Sequence, residues 1–197
     1  MSEAPTIPTE ARVKDAAVRL FGKNGFAATG IRDISEASGI SVATLYHYMD
    51  TKEDLLLDLM LEGMNSLLDS ANRVPSDKSA SERLSALVTV HIEYHCNRAL
   101  LARVTDTELR SLNESSRNTI IALRDDYERL WRKTIEQGNT SGEFHVEDVK
   151  MVALAALGMC TSVYSWFSPE GPLSVDDIAN WYSQLTLRLC GQGSSSR

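Results

Sequence analysis

The fold of this chain is decided between Thr29 and Lys52, where the sequence reads TGIRDISEASGISVATLYHYMDTK. The spacing of the apolar residues predicts a helix over 31–38, a tight turn at Gly39 and a second helix from 42 to about 49. Glycine suits this turn because it adopts the left-handed backbone conformation that a Cβ atom resists. Four apolar side chains are spaced to bury the inner faces of the two helices, namely Ile34, Ala37, Ile40 and Leu45.

The outer face of the second predicted helix carries small and hydrogen-bonding side chains rather than charged ones. These side chains are Ser41, Ala43, Thr44, Tyr46, His47 and Tyr48. The pattern is typical of a recognition helix, which enters the major groove of DNA with its first turn foremost. The sequence therefore predicts a helix-turn-helix that contacts double-stranded DNA.

This region resembles the N-terminal DNA-binding domain of the TetR family of bacterial transcriptional regulators. The resemblance covers about residues 9–60, and the features that carry it occur in one register. They are Phe21-Gly22-Lys23-Asn24-Gly25-Phe26, the Thr29…Ile34 segment, Gly39-Ile40-Ser41, Thr44-Leu45-Tyr46-His47-Tyr48 and Lys52-Glu53-Asp54-Leu55. The resemblance implies an N-terminal DNA-binding domain of three helices, followed by a helical domain for ligand binding and dimerisation.

We therefore expect an all-α chain. The DNA-binding domain is predicted over 1–52 with a leader at 1–8, the ligand-binding and dimerisation domain over 53–190, and a disordered tail over 191–197. The helix predicted from Thr51 to about Asn72 starts beside the recognition helix, so it is interpreted as the one element that can carry a signal between the domains. The other helices are expected over 9–24, 81–97, 99–111, 114–137 (ended by Gly138), 146–167 and 174–190.

The resemblance also assigns roles within the motif. It places Tyr46 and Lys52 at phosphates and residues 42–44 at bases. Ser41 is expected to cap the recognition helix, so that its free N–H groups face a phosphate. The complete predicted DNA-binding set is Thr29, Gly30, Ser41, Val42, Ala43, Thr44, Tyr46, His47, Tyr48 and Lys52.

The net charge of −7 is unevenly distributed along the chain. Residues 1–52 hold six Lys or Arg and six Asp or Glu, so this region is neutral and the remainder carries the whole deficit. Neither part has the basic surface of a protein that binds nucleic acid without sequence preference. A protein that makes few phosphate contacts relies on base contacts and dimerisation for its DNA affinity. The acidic residues after position 52 are expected to repel DNA.

Two C-terminal segments predict a homodimer. The helix expected over 146–167 is apolar on nearly every side, so one side can pack on its own domain and the other on a partner chain. In the TetR family the last two helices pair with their symmetry mates as a four-helix bundle, and the resemblance implies a twofold dimer here. The predicted interface comprises Ile178, Trp181, Tyr182, Leu185 and Leu189.

Flexible and aromatic side chains indicate either a pocket for an apolar molecule or plain core packing. The C-terminal half is similar to TetR-family regulators of lipid and steroid catabolism in TELRSL (107–112), RDDYE (124–128) and WFSPEGPLS (166–174). Since those regulators respond to acyl-CoA thioesters, the resemblance implies an apolar pocket with a basic mouth, for which Arg103 and Arg110 are candidates. The predicted ligand-binding set is Met60, Met64, Leu68, His91, His95, Arg103, Arg110, Tyr127, Met159, Val163, Trp166 and Phe167.

His91 and His95 stand one helical turn apart and could ligate a metal, which would favour a helical metal-dependent enzyme. Zinc proteases of the His-Glu pattern place Glu directly after the first His, whereas Ile92 stands there in this chain. Glu93 points about 160° away from the histidine face on a helix of this pitch. We therefore predict no metal, no cofactor and no enzymatic activity.

An alternative within the regulator class is a sensor of lipophilic cations or drugs that controls an efflux gene. Its pocket would need acidic side chains, for which Glu62 and Glu93 are the candidates. The leading hypothesis is a repressor that binds a palindromic operator as a dimer. In that hypothesis a small apolar effector releases the repressor from DNA, and an acyl-CoA thioester is the leading candidate for this effector.

The cysteine and hydropathy patterns predict a cytoplasmic protein without a membrane partner. Cys96, Cys160 and Cys190 are odd in number and lack a Cys-x-x-Cys pair, which argues against a disulfide framework or a zinc site. The N-terminus lacks the pattern of a signal peptide. The longest apolar stretch, 151–160, has about half of the ~20 residues that a bilayer span needs.

Overall fold

The structure of the chain is a computed structural model that describes residues 8–191. Within those residues every regular element is a helix, so the all-α prediction is confirmed. The α-helices are α1 (Thr9–Asn24), α2 (Ile31–Ser38), α3 (Val42–Leu45), α4 (Lys52–Asn72), α5 (Ala80–Asn97), α6 (Ala99–Thr107), α7 (Glu114–Ser141), α8 (Val149–Thr161) and α9 (Val175–Leu189), with short 3-10 helices at Leu109–Ser111 and Ser162–Ser165. The predicted leader and tail lie outside the described residues, except for Pro8 and Gly191.

The helices form two compact units. The first contains the described residues up to Gly63 together with Leu100–Ile120, and the second contains Met64–Ala99 together with the described residues from Ile121 onward. The first unit therefore holds α1, α2, α3, the start of α4, nearly all of α6 and the start of α7. The second holds the end of α4, α5, the rest of α7, α8 and α9.

The core of the first unit forms where α1 packs against α2. Ile34 of α2 and Leu45 of α3 are fully buried, and α1 contributes Val13, Ala16, Ala17 and Phe21. Gly22 allows the start of α6 to approach α1 closely, because a Cβ atom there would lie 3.0 Å from Leu100 Cδ2. The helix-turn-helix is thus supported from behind by apolar side chains of α1.

The second unit is organised around α5, which packs along α9 and also contacts α8. Its buried side chains include Leu84, Val88, Ile92, Trp131, Ala153, Ala156, Cys160 and Ile178. The small residues on α8 allow a close approach of helices. α8 buries these residues on one side and leaves Met151 and Leu154 exposed on another, so the chain itself covers only part of this apolar helix.

Helix ends of α3, α6, α7 and α8 differ by several residues from the sequence-based prediction. α7 passes through Gly138 and ends at Ser141. The ring of Phe144 packs where a Cβ atom of residue 138 would stand, so glycine is needed there for packing rather than for a turn. α3 ends at Leu45 instead of Met49. α8 starts at Val149, where Asp148 caps it, and it continues beyond Thr161 only as a 3-10 helix.

The sequence predicts α4 as the one element that could carry a signal between the domains, but α7 also has residues in both units. α7 contributes its first residues, to Ile120, to the first unit, and its remaining residues, from Ile121, to the second. α7 is therefore a second continuous element that has residues in both units. The sequence did not reveal this because the contacts of the α7 start are made by residues distant in sequence.

The three cysteines are free thiols in the second unit, and all are buried. Burial raises the pKa of Cys96 and Cys190 to about 11, and it raises the pKa of Cys160 to about 12. All three are therefore protonated and poorly nucleophilic at neutral pH. Among residues 8–191, no helix combines the length and the apolar character that a bilayer crossing requires.

Candidate functional site

The exposed face of α3 and of the three residues after it presents hydrogen-bonding side chains to solvent. Ser41 caps the helix, since its Oγ accepts a hydrogen bond from the Thr44 backbone N–H at 3.1 Å and lies 2.8 Å from Thr44 Oγ1. Tyr46 is 51% exposed and Tyr48 is 38% exposed, and Ala43 and His47 are also exposed. Val42 and Thr44 are half-buried. A short capped helix with such a face can present several donors and acceptors to base edges or phosphates.

The turn between α2 and α3 is held by serine hydroxyls that the sequence analysis did not single out. Gly39 adopts φ 67° and ψ 37°, which is the expected left-handed conformation. Ser35 Oγ donates to the Ile40 carbonyl at 2.6 Å, and Ser38 Oγ donates to the Ile34 carbonyl at 2.7 Å. The expected burial of Ala37 is wrong, because α2 turns Ile34, Ser35 and Ser38 inward and leaves Ala37 exposed.

Arg12 of α1 is a further residue that fixes this turn. Its guanidinium donates to the Ser38 carbonyl from Nε at 3.1 Å and from Nη2 at 2.8 Å. Nη2 also reaches the Gly39 carbonyl at 3.4 Å. The planar fork of donors thereby satisfies carbonyl groups at the end of α2, which have no partner inside the helix. No local sequence pattern marks this contact, because the partners are 26 residues apart.

Lys52 and Thr29, both predicted to contact DNA, are engaged inside the first unit. Lys52 Nζ donates to the carbonyls of Phe26 at 2.9 Å and Thr29 at 2.7 Å, and it lies 4.2 Å from the centre of the Phe26 ring. Thr29 is 1% exposed, and its hydroxyl donates to the Gly25 carbonyl at 2.9 Å. These two residues hold the connection between α1 and α2. Gly30 is exposed and is the N-cap of α2.

The second unit contains a buried polar cluster centred on His91. Its Nδ1 lies 3.2 Å from the Tyr127 hydroxyl, and its Nε2 lies 3.1 Å from Thr161 Oγ1. The ring stacks on His95 with a centroid distance of 4.0 Å and an interplanar angle of 14°. Burial, followed by the proximity of His95, lowers the pKa of His91 well below its usual 6.5. His91 is therefore neutral and acts as one donor and one acceptor.

The geometry of the two histidines does not favour a metal centre. His95 Nδ1 donates to the His91 backbone carbonyl at 2.8 Å, because a carbonyl oxygen can only accept. Both His91 nitrogens face hydroxyl groups, and Glu93 is exposed. Within residues 8–191, no group of three or more His, Cys, Asp or Glu side chains is placed to hold a metal ion.

The remaining predicted ligand residues fall in both units. Met60, Arg103 and Arg110 belong to the first unit, where Met60 is buried and the two arginines are exposed. The other residues belong to the second unit: Met64 and Val163 are buried, Leu68, Met159 and Phe167 are half-buried, and Trp166 is exposed. Leu68 lies in a groove of about 490 Å³ between α4 and α7, lined by Asn65, Leu68, Asp69, Asn72, Asp126, Arg129, Leu130 and Lys133.

A row of large apolar side chains on α8 and α9 is exposed in the single chain. We call this row the apolar stripe, and it consists of Met151, Leu154, Trp181, Leu185 and Leu189. Trp181 is 60% exposed, which is a large apolar surface for a residue of an amphipathic helix. Ile178, predicted to lie at the same surface, is buried in the core of its own unit, and Tyr182 is half-buried.

Two models of known protein families match most of the chain. The model described as "Bacterial regulatory proteins, tetR family" matches residues 14–59, and the model described as "Tetracyclin repressor-like, C-terminal domain" matches residues 77–190. The chain is 28% identical to the HTH-type transcriptional repressor KstR2 of Rhodococcus jostii (strain RHA1) over 88% of this chain and 86% of that protein. It is also 28% identical to the fatty acid metabolism regulator protein of Bacillus subtilis (strain 168), over 93% of this chain and 95% of that protein.

Solved structures of regulators have the same fold. A tetR-family bacterial regulatory protein from Rhodococcus RHA1 superposes with a TM-score of 0.88 at 32% identity, over 94% of this chain and 98% of that chain. The regulator AibR, solved in complex with isovaleryl coenzyme A and operator DNA, superposes with a TM-score of 0.79 at 26% identity, over 90% of this chain and 97% of that chain. These matches confirm the resemblance on which the sequence analysis relied, including its lipid and steroid branch.

Proposed function

The chain belongs to the TetR family of bacterial transcriptional regulators, and we propose that it is a repressor released from a palindromic operator by an acyl-CoA thioester. The observation that supports operator binding most directly is the exposed, serine-capped α3. It follows a turn that Gly39 and Arg12 fix from two sides. In a helix-turn-helix protein the second helix reads base edges, and here α3 offers Val42, Ala43 and Thr44 for that role, while Tyr46 directly after it is available to a phosphate.

The proposed form of the repressor is a twofold dimer. The apolar stripe supports this proposal, because a monomer that left Trp181 and Leu185 in water would lose the free energy of burying them. A twofold dimer would present two copies of α3 to successive major grooves, about 34–36 Å apart. It would also compensate for the neutral charge of residues 1–52, since two sets of base contacts add to the affinity.

The proposed effector is a CoA thioester with an apolar acyl group. The names of the relatives support this class, since they include a fatty acid metabolism regulator and a protein crystallised with isovaleryl coenzyme A. The second unit supplies buried apolar and aromatic side chains, among them Met64, Tyr127 and Val163, together with the neutral hydrogen-bonding cluster of His91. The exposed Arg103 and Arg110 would offer donors to phosphate groups.

The side chains required by a sensor of lipophilic cations are not placed for that role. Glu62 is 46% exposed and forms an ion pair with Lys14 of α1 at 3.6 Å. Glu93 is exposed on the face of α5 that points away from His91 and His95. Neither carboxylate is buried among apolar side chains, where it would discriminate strongly in favour of a cation.

The proposal is tested by selecting DNA from a random duplex library with the purified protein and measuring affinity for the selected palindrome by fluorescence anisotropy. Isovaleryl-CoA, octanoyl-CoA, palmitoyl-CoA and a steroid-derived CoA thioester are then titrated against the complex, with free CoA as the control. We expect at least one thioester to weaken operator binding while free CoA leaves it unchanged. If no thioester weakens operator binding but a lipophilic cation such as tetraphenylphosphonium does, the effector is a drug-like cation rather than a thioester.

A further inference from the structure

Two consecutive residues in the first turn of α4 bind two different parts of the first unit. Lys52 donates to the carbonyls of Phe26 and Thr29, and Thr29 directly precedes the N-cap of α2. The next residue, Glu53, accepts a hydrogen bond at Oε1 from the backbone N–H of Asn113 at 2.7 Å. This turn of α4 therefore contacts both the entry to the DNA-reading helices and the segment before α7.

Asn113 is fixed to the N-terminus of α7. Its Oδ1 accepts from the Ser116 backbone N–H at 3.0 Å, and its carbonyl accepts from the Arg117 backbone N–H at 2.9 Å, as expected of a capping residue. The Arg117 side chain also donates to the Leu112 carbonyl at 2.8 Å. The carboxylate of Glu53 therefore lies at a helix N-terminus, where the helix dipole favours a negative charge.

α7 continues from this contact into the second unit, where it carries Tyr127 and Trp131. Tyr127 Oη lies 3.2 Å from His91 Nδ1, and the Trp131 ring meets the His91 ring edge-on at a centroid distance of 5.8 Å. A continuous helix transmits a shift or rotation along its length, because its backbone hydrogen bonds keep the residue spacing fixed. A ligand that displaces α7 through its contacts with the His91 cluster would therefore also displace the Asn113 N–H.

We propose that Glu53 is a positioning residue that couples α7 to the DNA-reading helices. A displacement of α7 moves the Asn113 donor, the Glu53 carboxylate follows it, and the first turn of α4 moves with Glu53. Lys52 in the same turn then alters the position of Thr29 and hence the start of α2. Coupling through α7 would act beside any motion of α4 itself, and it rests on the proposed function for the identity of the signal that moves α7.

The test measures a coupling factor, defined as the ratio of operator dissociation constants with and without a thioester. Isovaleryl-CoA, octanoyl-CoA and palmitoyl-CoA are each used with wild type, Glu53→Ala, Glu53→Gln and the matched control Glu114→Gln. Glu114 is exposed in the first turn of α7, so this control removes the same charge without the bond to Asn113. Allosteric coupling factors are typically about 5 to 150.

We expect Glu53→Ala to bring the coupling factor to within about twofold of one, whereas a typical wild-type factor is at least about 5. Glu53→Gln retains an acceptor oxygen and should keep an intermediate factor, while Glu114→Gln should match wild type. A purely structural role for Glu53 would lower the unfolding midpoint and leave the ratio unchanged. A wild-type coupling factor in Glu53→Ala therefore overturns the proposal.

A second measurement does not depend on a thioester. Amide hydrogen exchange at Asn113 and at residues 115–120 is compared with and without the selected operator duplex. We expect the duplex to change exchange there in wild type but not in Glu53→Ala. If no thioester acts on wild type, the effector class is wrong and exchange alone decides the role of Glu53. An equal change in both proteins, or no change in wild type, overturns the coupling.

Discussion

The phenyl ring of Phe144 lies against the backbone of Gly138, where a Cβ atom at residue 138 would be only 2.0 Å from Phe144 Cδ2. The ring is 2% exposed, so it cannot swing into solvent without uncovering the core. The contact folds the segment after α7 back over the last turns of that helix. It also brings Glu143 to the start of α5, where its carboxylate accepts from the Ala80 and Ser81 backbone N–H groups at 3.0 Å.

Gly138→Ala is expected to destabilise the protein, although alanine is the better helix former. The added methyl group must displace a buried ring, and such overpacking costs about 1–3 kcal/mol. Lys133→Ala in the same helix is the control, because Lys133 is exposed and its truncation should change stability by no more than about 0.5 kcal/mol. Urea unfolding followed by circular dichroism compares the two. A stabilised Gly138→Ala would contradict the packing argument.

The buried His91 predicts how stability depends on pH. Its folded pKa is lowered well below the usual 6.5, so the unfolded chain binds the proton more readily than the folded chain. Stability is therefore unaffected by this group above about pH 7 and falls as pH drops through 6.5, by at most about 1.4 kcal/mol per pH unit. His91→Gln should be less stable at pH 7.5, yet lose less stability between pH 7.5 and 5.5. Parallel pH profiles for the two proteins would show that His91 is not the group responsible.

Arg12 is expected to support operator binding without touching DNA. Arg12→Lys keeps the charge but cannot reproduce the two bonds to the Ser38 carbonyl, so the turn before α3 should loosen. We expect roughly tenfold weaker operator binding, which corresponds to about 1.4 kcal/mol, measured by anisotropy. Arg19→Lys is the control, because Arg19 pairs with Asp15 on the exposed side of α1. Equal operator affinities for the two variants would show that Arg12 does not support operator binding.

Tyr46→Ala tests the surface of α3. Half of the Tyr46 side chain is exposed and points away from the core, so its loss should weaken operator binding while helicity and oligomeric state stay unchanged. If Tyr46 contacts a phosphate through an ordered donor, the affinity falls roughly uniformly across sequences. Thr44→Ala should instead relax specificity at one base position. Anisotropy with the selected operator and its single-base variants separates these outcomes, and wild-type binding by both proteins would refute the groove assignment.

Leu185→Glu is expected to separate the proposed dimer. Leu185 is 40% exposed and belongs to the apolar stripe, so a buried carboxylate at the interface would be left without a partner. The neighbouring Gln184 is also exposed, but it lies outside the stripe, which makes Gln184→Glu a control with a comparable change of charge. Sedimentation at micromolar concentration should show monomers only for Leu185→Glu. A dimeric Leu185→Glu would place the interface elsewhere.

Local patterns in the sequence were sufficient for the helices and the turn. The bounds of α1 and α2 were predicted correctly, because glycine at their C-termini and apolar spacing act over a few residues. Gly138 was misinterpreted because its partner, the Phe144 ring, lies beyond the end of the helix. The sequence alone does not distinguish a glycine that is needed for packing from a glycine that is needed for a turn.

The contacts that orient the site could not be predicted in the same way. The bond from Glu53 to Asn113 joins residues 60 positions apart, and the bonds from Arg12 to Ser38 join residues 26 positions apart. Both use a backbone group as the partner, and backbone groups carry no sequence signal. The sequence predicts Lys52 at a phosphate and gives no sign of its bonds to the Phe26 and Thr29 carbonyls, since a lysine at the edge of the motif has the same sequence pattern with either partner.

Four cations of the first unit are engaged by groups of the protein itself. Arg12 and Lys52 donate to backbone carbonyls, while Lys14 and Arg19 pair with carboxylates. Sliding along DNA depends on many non-specific phosphate contacts, and a protein with few of them dissociates quickly from random sequence. We therefore expect the molecule to sample DNA by repeated three-dimensional encounters, so that operator occupancy responds promptly to the concentration of free repressor.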